Sequence, residues 1–410
     1  MSDRQVQQTV PLCPSCGDEL VGEYGYVQWC RGCKWNVTPK NGVADPMPNR
    51  LGRFIHSDQP TIDELYDTAI EDGLEISPRG EEGVVALAFS LPVHAFALVF
   101  GVLGLALIVS EWFAVLPFIF GALLIGMTFG LYSASQRKPD LVLRADECGE
   151  LRSIIAELAE ALDAPPVRRI AIDRRINASA GRRWFANELT IGYPLWCMTD
   201  DDERLGILAH ELSHFVNGDS LRSRPIRWAL IALSNWNDVG QNMRRSGRQA
   251  RGLSALASVA IGSIIAVTTR WYGAAILKLL YSQSQRCEYR ADLLAARAVG
   301  TSAVVAGLTS LQRETSVELA TRGRPKDPWQ KIRDRVAALP ASERERHGLK
   351  ARADTRAIPG ADTHPPVGYR IGVLEAHPTS ASVFINRAQW QAADRQLAKA
   401  ASRLPNRLER

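Results

Sequence analysis

The stretch Leu208-Ala209-His210-Glu211-Leu212-Ser213-His214-Phe215 sets two histidines four positions apart, with a glutamate directly after the first. On an α-helix, residues four apart lie one above the other on the same face, so both imidazoles can reach one metal ion. Glu211 then sits beside that metal as a candidate general base. H-E-x-x-H in an apolar setting reads as a zinc peptidase site, where the metal supplies a Lewis acid and an activated water. The flanks favour a helix from about 200 to 217. Leu205, Leu208, Leu212 and Phe215 form an apolar stripe. Thr199-Asp200-Asp201-Asp202-Glu203 reads as a capping run, with Thr199 as the cap and Asp202 three residues on. Asn217-Gly218 supplies the stop.

A catalytic zinc keeps three protein ligands and one open position. The best third ligand is Glu288, in Ser284-Gln285-Arg286-Cys287-Glu288-Tyr289-Arg290-Ala291-Asp292. Glu288 and Asp292 are again four apart. One can bind metal while the other orients a ligand histidine through its second ring nitrogen. By spacing alone, the same run reads equally well as an exposed helical charge cluster with Arg286 and Arg290.

Taken together, the His210–His214 motif with Asn217-Gly218-Asp219 after it, and the 284–292 run, resemble the HtpX/CAAX-prenyl-protease family of membrane zinc metallopeptidases. Two further matches add to the resemblance. Asn177-Ala178-Ser179-Ala180, before the strand-like Glu188-Leu189-Thr190-Ile191, resembles the family's substrate-binding edge segment. His364-Pro365-Pro366 followed by Arg370 resembles its late His-Pro-Pro…Arg element. The resemblance implies that His210, His214 and Glu288 bind zinc, that Glu211 is catalytic, and that Asp292 supports a ligand from behind. It also implies roles for His364 and Arg370 near the transition state. The chain departs from the family pattern in the basic run Gly181-Arg182-Arg183-Trp184-Phe185, in an Arg-rich stretch between the two zinc motifs, and in an added N-terminal cysteine element.

That element is Cys13-Pro14-Ser15-Cys16 with Cys30-Arg31-Gly32-Cys33. Paired C-x-x-C knuckles read as a zinc ribbon with four thiolate ligands. Such a closed site is structural, and a unit this small depends on its metal to fold. Thiolates need a reducing compartment, so this end is expected in the cytosol. Cys148, Cys197 and Cys287 read as packing residues.

The 410 residues are 46% hydrophobic with a net charge of +5, enough for several units and a sizeable core. The mild basic excess suits a membrane-surface protein better than a nucleic-acid binder, and no nucleic acid is expected as a partner. No apolar segment precedes residue 84, so no cleavable signal is expected. Two spanning-length apolar segments, roughly 85–109 and 112–133, follow one another across a short turn at Ser110-Glu111. Gly126 and Gly130 form a G-x-x-x-G that can pack helices. Arg79, Arg137 and Lys138 flank the pair, so the positive-inside rule puts both flanks in the cytosol.

Residues 226–281 combine apolar stretches with the basic run Arg244-Arg245-Ser246-Gly247-Arg248-Gln249-Ala250-Arg251. Because His210 and Glu288 would share a metal, an even number of crossings separates them. Four arginines outside would break the positive-inside rule, so zero crossings is simplest, with 253–281 on the membrane surface or packed into the soluble fold; two is the alternative. Residues 322–362 read as an irregular surface insertion. Trp390, Ala393, Leu397 and Ala401 mark a peripheral amphipathic helix.

The fold class expected is therefore α+β, mainly helical: a zincin-like metallopeptidase domain with a transmembrane helical hairpin and a small zinc ribbon. The expected units are a ribbon at 1–39, a linker at 40–83 and the hairpin at 84–135. A peptidase core follows at 140–312, including 226–281, and then a C-terminal region at 313–410. The function expected is a membrane-embedded zinc endopeptidase with a cytosolic active site. It would hold one catalytic and one structural zinc and cleave membrane or misfolded proteins. The alternative is a catalytically silent, membrane-tethered adaptor that uses the ribbon, with Trp29, Arg31, Lys34 and Trp35 as its contact surface.

Overall fold

In the computed structural model the described residues are 11–37, 62–77, 81–110, 115–133, 139–183, 186–323, 325–355 and 364–408. Arg79, Glu111, Arg137, Lys138, Trp184 and Phe185 lie outside them.

The N-terminal unit is built on two short antiparallel strands, β1 (Leu20–Val21) and β2 (Trp29–Cys30). They bring the two knuckles together, with Cys13 Sγ 3.6 Å from Cys33 Sγ and Cys16 Sγ 3.5 Å from Cys30 Sγ. Tetrahedral Zn–S bonds of about 2.3 Å place neighbouring sulfurs about 3.8 Å apart. The cluster is thus sized for one zinc ion.

Helix α1 (Ile62–Asp72) leads to α2 (Glu81–Ser110), and α3 (Val115–Ser133) returns beside it. The two long helices touch through Gly104 and Gly121, where a Cβ on Gly104 would lie 2.7 Å from the Gly121 carbonyl oxygen. The expected packing residue, Gly126, instead faces open space. A G-x-x-x-G pattern shows which glycines share a helix face but not which face meets a neighbour. The outer surface of the pair is apolar, with Val84, Leu98, Val109, Leu116 and Phe120 all exposed.

The central sheet has the order β3-β4-β6-β5. Its strands are β3 (Leu141–Leu143), β4 (Arg169–Asp173), β5 (Ala178–Arg183) and β6 (Ala186–Gly192). β4 and β6 run parallel, and β3 and β5 flank them antiparallel. Helix α4 (Gly149–Ala161) covers the sheet, joined by α5 (Tyr193–Met198) and α6 (Asp201–Asn217). Leu151, Ile154, Leu158, Ile170, Leu189 and Leu212 are fully buried in the shared core. β3 is too short to show alternation and β5 has no β-branched residue, so neighbouring strands define both.

Helix α7 (Asp219–Gln249) and the long α8 (Leu253–Val299) form an antiparallel hairpin. It lies alongside α2: Arg286 pairs with Glu82, Tyr272 Oη donates to the Phe89 carbonyl, and Phe96 meets Trp236 edge-on. Residues 253–281 are therefore the larger part of a continuous helix standing beside α2, not a segment folded into the soluble core. Leu253, Ile264 and Val267 are exposed, so this surface matches that of α2. Both α2 and α8 are long and apolar enough to cross a membrane.

Gly300, at φ 83°, breaks the chain into α9 (Thr301–Ser310), followed by α10 (Glu314–Thr321). The region expected to be irregular instead holds α11 (Pro328–Ala337) and α12 (Ala341–Ala353). Its polar composition hid two helices that each bury a thin stripe, Trp329 and Ile332 on one and Glu343, His347 and Ala351 on the other. The ribbon docks on this pair. Arg31 makes a two-pronged bond to Glu345 at 2.9 and 2.6 Å, and Tyr26 Oη donates to the Ala338 carbonyl at 3.2 Å. Helix α13 (Val367–Ala376) follows. In α14 (Arg387–Ala401), Trp390, Ala393, Leu397 and Ala401 are buried in the main core, as their helical spacing predicts.

Candidate metal centre

Helix α6 begins one residue later than Thr199 would place it. Asp200 is the cap: its carboxylate accepts from Glu203 N at 3.0 Å, and Glu203 accepts in return from Asp200 N at 3.0 Å. The Thr199 hydroxyl is already committed, donating to the Leu195 carbonyl at 2.8 Å. Glu203 also receives Arg313 through bonds of 2.5 and 2.7 Å. Burial pushes the Glu203 carboxyl up and the Arg313 guanidinium opposes it. Nothing local in the sequence pairs these two residues. Gly218, at φ 73°, closes α6 in the left-handed conformation that glycine adopts freely.

His210 and His214 project from one face of α6, with their Nε2 atoms 3.2 Å apart. Glu288 comes to them from α8. Its Oε2 is 3.5 Å from His210 Nε2 and its Oε1 is 3.6 Å from His214 Nε2. Zinc bonds of 2.0–2.1 Å in a tetrahedral array separate neighbouring ligand atoms by about 3.3–3.4 Å. The three observed separations bracket that value, so these side chains fit one zinc-sized ion and leave a fourth direction open.

The 284–292 run is not an exposed charge cluster. Glu288 and Asp292 are buried, Arg286 reaches Glu82 at 3.2 Å, and Arg290 donates to the Ile76 carbonyl at 3.2 Å. The pattern of four-residue spacing is local, but the inward direction of that helix face comes from packing against α6. Asn217, at the end of α6, donates to the Cys287 carbonyl at 3.0 Å and ties the two helices together.

Behind the three residues lies a buried charge network. Asp292 Oδ1 is 2.8 Å from His210 Nδ1, the ring nitrogen facing away from the cluster. Arg370, from α13, bonds Asp292 in parallel at 2.7 and 2.8 Å, and its Nη2 lies 3.7 Å from Glu288 Oε2. Burial pushes the Glu288 carboxyl up, but His214, His364 and Arg370 outweigh it and hold the group well below the carboxylate range. Glu288 lies beyond the apolar part of α8, on the side of the sheet domain. Burial also opposes the ionised Asp292, and Arg370 with His210 reverses that effect. His364 sits at the exposed mouth with Nδ1 2.7 Å from Glu288 Oε2.

Glu211 points to the sheet. Its Oε2 accepts from Ala180 N at 2.7 Å. Ala180 belongs to β5, the edge strand, so the 177–180 segment does lie beside the metal helix. Asn177 precedes the strand and accepts Gly192 N through its carbonyl at 2.8 Å. The basic residues Arg182 and Arg183 continue β5, and Arg183 lies 3.8 Å from Glu188 on β6. The Ala180–Glu211 bond has no side-chain signature in the sequence, because its donor is a backbone amide.

The sequence around this site matches known proteins. Residues 145–377, more than half of the chain, match peptidase family M48. The chain belongs to peptidase family M48. All the residues drawn together above, from β5 to α13, fall inside that M48 domain. Among curated proteins, the chain is 24% identical over 186 residues to a protein named Protease HtpX from Hahella chejuensis, covering 43% of this chain and 53% of that one. It is 26% identical over 166 residues to Protease HtpX of Idiomarina loihiensis, covering 38% and 54%. It is 27% identical over 190 residues to a Protease HtpX homolog of Thermococcus sibiricus, covering 45% and 64%. The matched stretch thus spans about half the length of the first two relatives. No solved structure matches the chain. The N-terminal cysteine cluster lies outside the M48 domain.

Arg370 is the single cation bonded to Asp292 among the described basic side chains other than His210. Breaking a buried ion pair by removing one member leaves an uncompensated charge and costs about 3–5 kcal/mol. Arg370→Met should therefore lower the thermal midpoint of the zinc-loaded protein by on the order of 10 °C. An unchanged midpoint would show that another group neutralises Asp292.

Proposed function

We propose that this chain is an integral membrane zinc endopeptidase with a cytosol-facing active site, acting on membrane or misfolded proteins in quality control. The observation that carries it is the His210–His214–Glu288 cluster at zinc spacing with Glu211 alongside. Two imidazoles and a carboxylate suit zinc among the common metals. Relatives named Protease HtpX support proteolysis as the chemistry.

When bound by His210, His214 and Glu288, zinc would polarise the scissile carbonyl and acidify a water. Every other task falls to the chain. Glu211 receives the proton of the attacking water on a carboxylate oxygen and returns it to the leaving amine. The substrate strand adds to the open edge of β5, where its carbonyl takes over the Ala180 N–H and frees Glu211 Oε2. Asp292 holds the proton on His210 Nδ1, so Nε2 keeps its lone pair for metal. Arg370 is buried behind the ligands and acts as a positioning residue through Asp292. His364, exposed at the mouth, is the residue placed to donate to the tetrahedral oxyanion.

The exposed apolar surfaces of α2, α3 and α8 support placement in a bilayer. Because α8 pairs with α2 at Arg286–Glu82 and Tyr272–Phe89 and is long and apolar enough to cross, the α7–α8 hairpin is read as a second pair of crossings. This sets the four arginines of its tip outside, against the positive-inside trend. The ribbon thiols and the flanking Arg79, Arg137 and Lys138 support a cytosolic catalytic side. The adaptor alternative loses much of its contact surface, because Trp29 is buried and Arg31 is bound to Glu345.

The test is cleavage of an unfolded membrane protein by the detergent-purified chain, abolished by a chelator and restored by zinc. Inactivity across varied substrates would favour the adaptor. In intact cells, a cysteine placed at Ser246 should be labelled from outside and one at Ser2 should not; protection at Ser246 would remove the second pair of crossings.

A further inference from the structure

From Val239 to Cys287 the chain contains no aspartate or glutamate. Within this stretch, Arg244, Arg245, Arg248 and Arg251 gather at the tip of the α7–α8 hairpin. Arg245, Arg248 and Arg251 are exposed, and none of the four pairs with a carboxylate among the described residues. Arg244 Nε is buried without a hydrogen-bond partner among the described residues. The hairpin is tightly closed beneath them, since a Cβ on Gly247 would lie 2.7 Å from the Ala255 carbonyl oxygen. The guanidinium groups are thus concentrated on one narrow end.

That end has a defined height. Helix α2 ascends as α8 descends, with Glu82 beside Arg286 and Phe89 beside Tyr272, so α2 ends and the α7–α8 hairpin turns at the end remote from the metal centre. The exposed apolar surface of α2, from Val84 to Val109, is about 39 Å long at 1.5 Å per residue. A bilayer's hydrocarbon core is about 30 Å thick, so each apolar surface reaches through it and ends in the headgroup layer. Leu253 and Leu256, 83% and 69% exposed, lie immediately below the arginines. An apolar collar capped by unpaired guanidinium groups matches the boundary between acyl chains and lipid phosphates.

Resting on the membrane placement above, we propose that the α7–α8 tip is a binding site for anionic lipid headgroups in the leaflet remote from the active site. Arg244, Arg245, Arg248 and Arg251 grip the phosphates, while Leu253 and Leu256 rest against the first methylenes. Arg–phosphate bonding is bidentate and directional, so glutamine at these positions removes it and leaves a polar, uncharged tip. A nucleic-acid surface would leave the two exposed leucines in water and without a role.

The full-length protein in detergent is titrated with phosphatidylglycerol or phosphatidylcholine of identical chains, and bound lipid is counted by native mass spectrometry. The expected result is a preference for phosphatidylglycerol of about tenfold. It should be lost in R244Q/R245Q/R248Q/R251Q, reduced in R245Q/R248Q, and kept in R387Q/R395Q, whose arginines are exposed on α14. Zinc content checks that the quadruple variant is folded. An undiminished preference in that variant overturns the proposal. Displacement by soluble glycerol phosphate at equal concentration also overturns it, because the site would then recognise phosphate and not a lipid surface. Membrane placement itself is judged separately, by flotation of the wild-type protein with neutral phosphatidylcholine vesicles. Failure to float sinks that placement, whereas flotation without anionic preference sinks only the headgroup site.

Discussion

Glu211→Gln should abolish proteolysis while leaving metal binding intact. Glu211 Oε2 bonds the Ala180 amide at 2.7 Å and so faces the substrate edge, whereas the three clustered ligand atoms come from His210, His214 and Glu288. Glutamine keeps the shape and can still accept from Ala180 N, so the β5 contact survives. What it loses is the ability to take a proton. Removing a general base commonly costs two to four orders of magnitude, about 3–5 kcal/mol of barrier. The expected outcome is turnover of an unfolded substrate reduced by about 10²–10⁴-fold, with zinc content and thermal midpoint unchanged. Loss of zinc would make Glu211 a ligand. Wild-type turnover would move the proton transfer to another group.

The second large effect separates the two candidate metal sites. Glu288→Ala removes one corner of the cluster, and second it removes the carboxylate that sits between His214, His364 and Arg370. Two histidines alone hold zinc weakly, so the peptidase ion should be lost and activity with it. The four sulfurs belong to a unit that meets the rest of the chain through α11 and α12, so the ribbon ion should stay. Metal analysis should find two zinc ions per wild-type chain and one in Glu288→Ala. Cys30→Ser should give the reciprocal result, with the ribbon ion lost and the peptidase ion kept. Two ions in Glu288→Ala would reject Glu288 as a ligand. Loss of both in either variant would mean that the sites fold as one unit.

Much of the site was legible because its motifs are local. A helix puts His210 over His214 whatever surrounds it, and two C-x-x-C knuckles specify a thiolate site from spacing alone. The first apolar segment was equally plain, since spanning length is a property of composition, while the second is among the described residues a shorter apolar helix over Val115–Thr128. The cap was misplaced by one residue, because Thr199 and Asp200 are both good caps. The choice between them depends on where α5 ends and whose carbonyl takes the threonine hydroxyl. Helices α11 and α12 were missed because a helix that buries only a thin stripe looks like a polar loop.

The sequence by itself determined the chemistry available: the two histidines, the glutamate between them, the four cysteines and the apolar lengths. Tertiary structure alone decided how that chemistry is assembled. It turned Glu288 inward to the histidines and set Arg370 behind Asp292. It laid Ala180 against Glu211, stood α8 beside α2, and docked the ribbon on Glu345. Each of these joins residues tens to hundreds of positions apart, and no helical or strand period relates them. Whether a charged residue on a helix faces water or a partner depends on what packs against that helix, and only the folded chain supplies it.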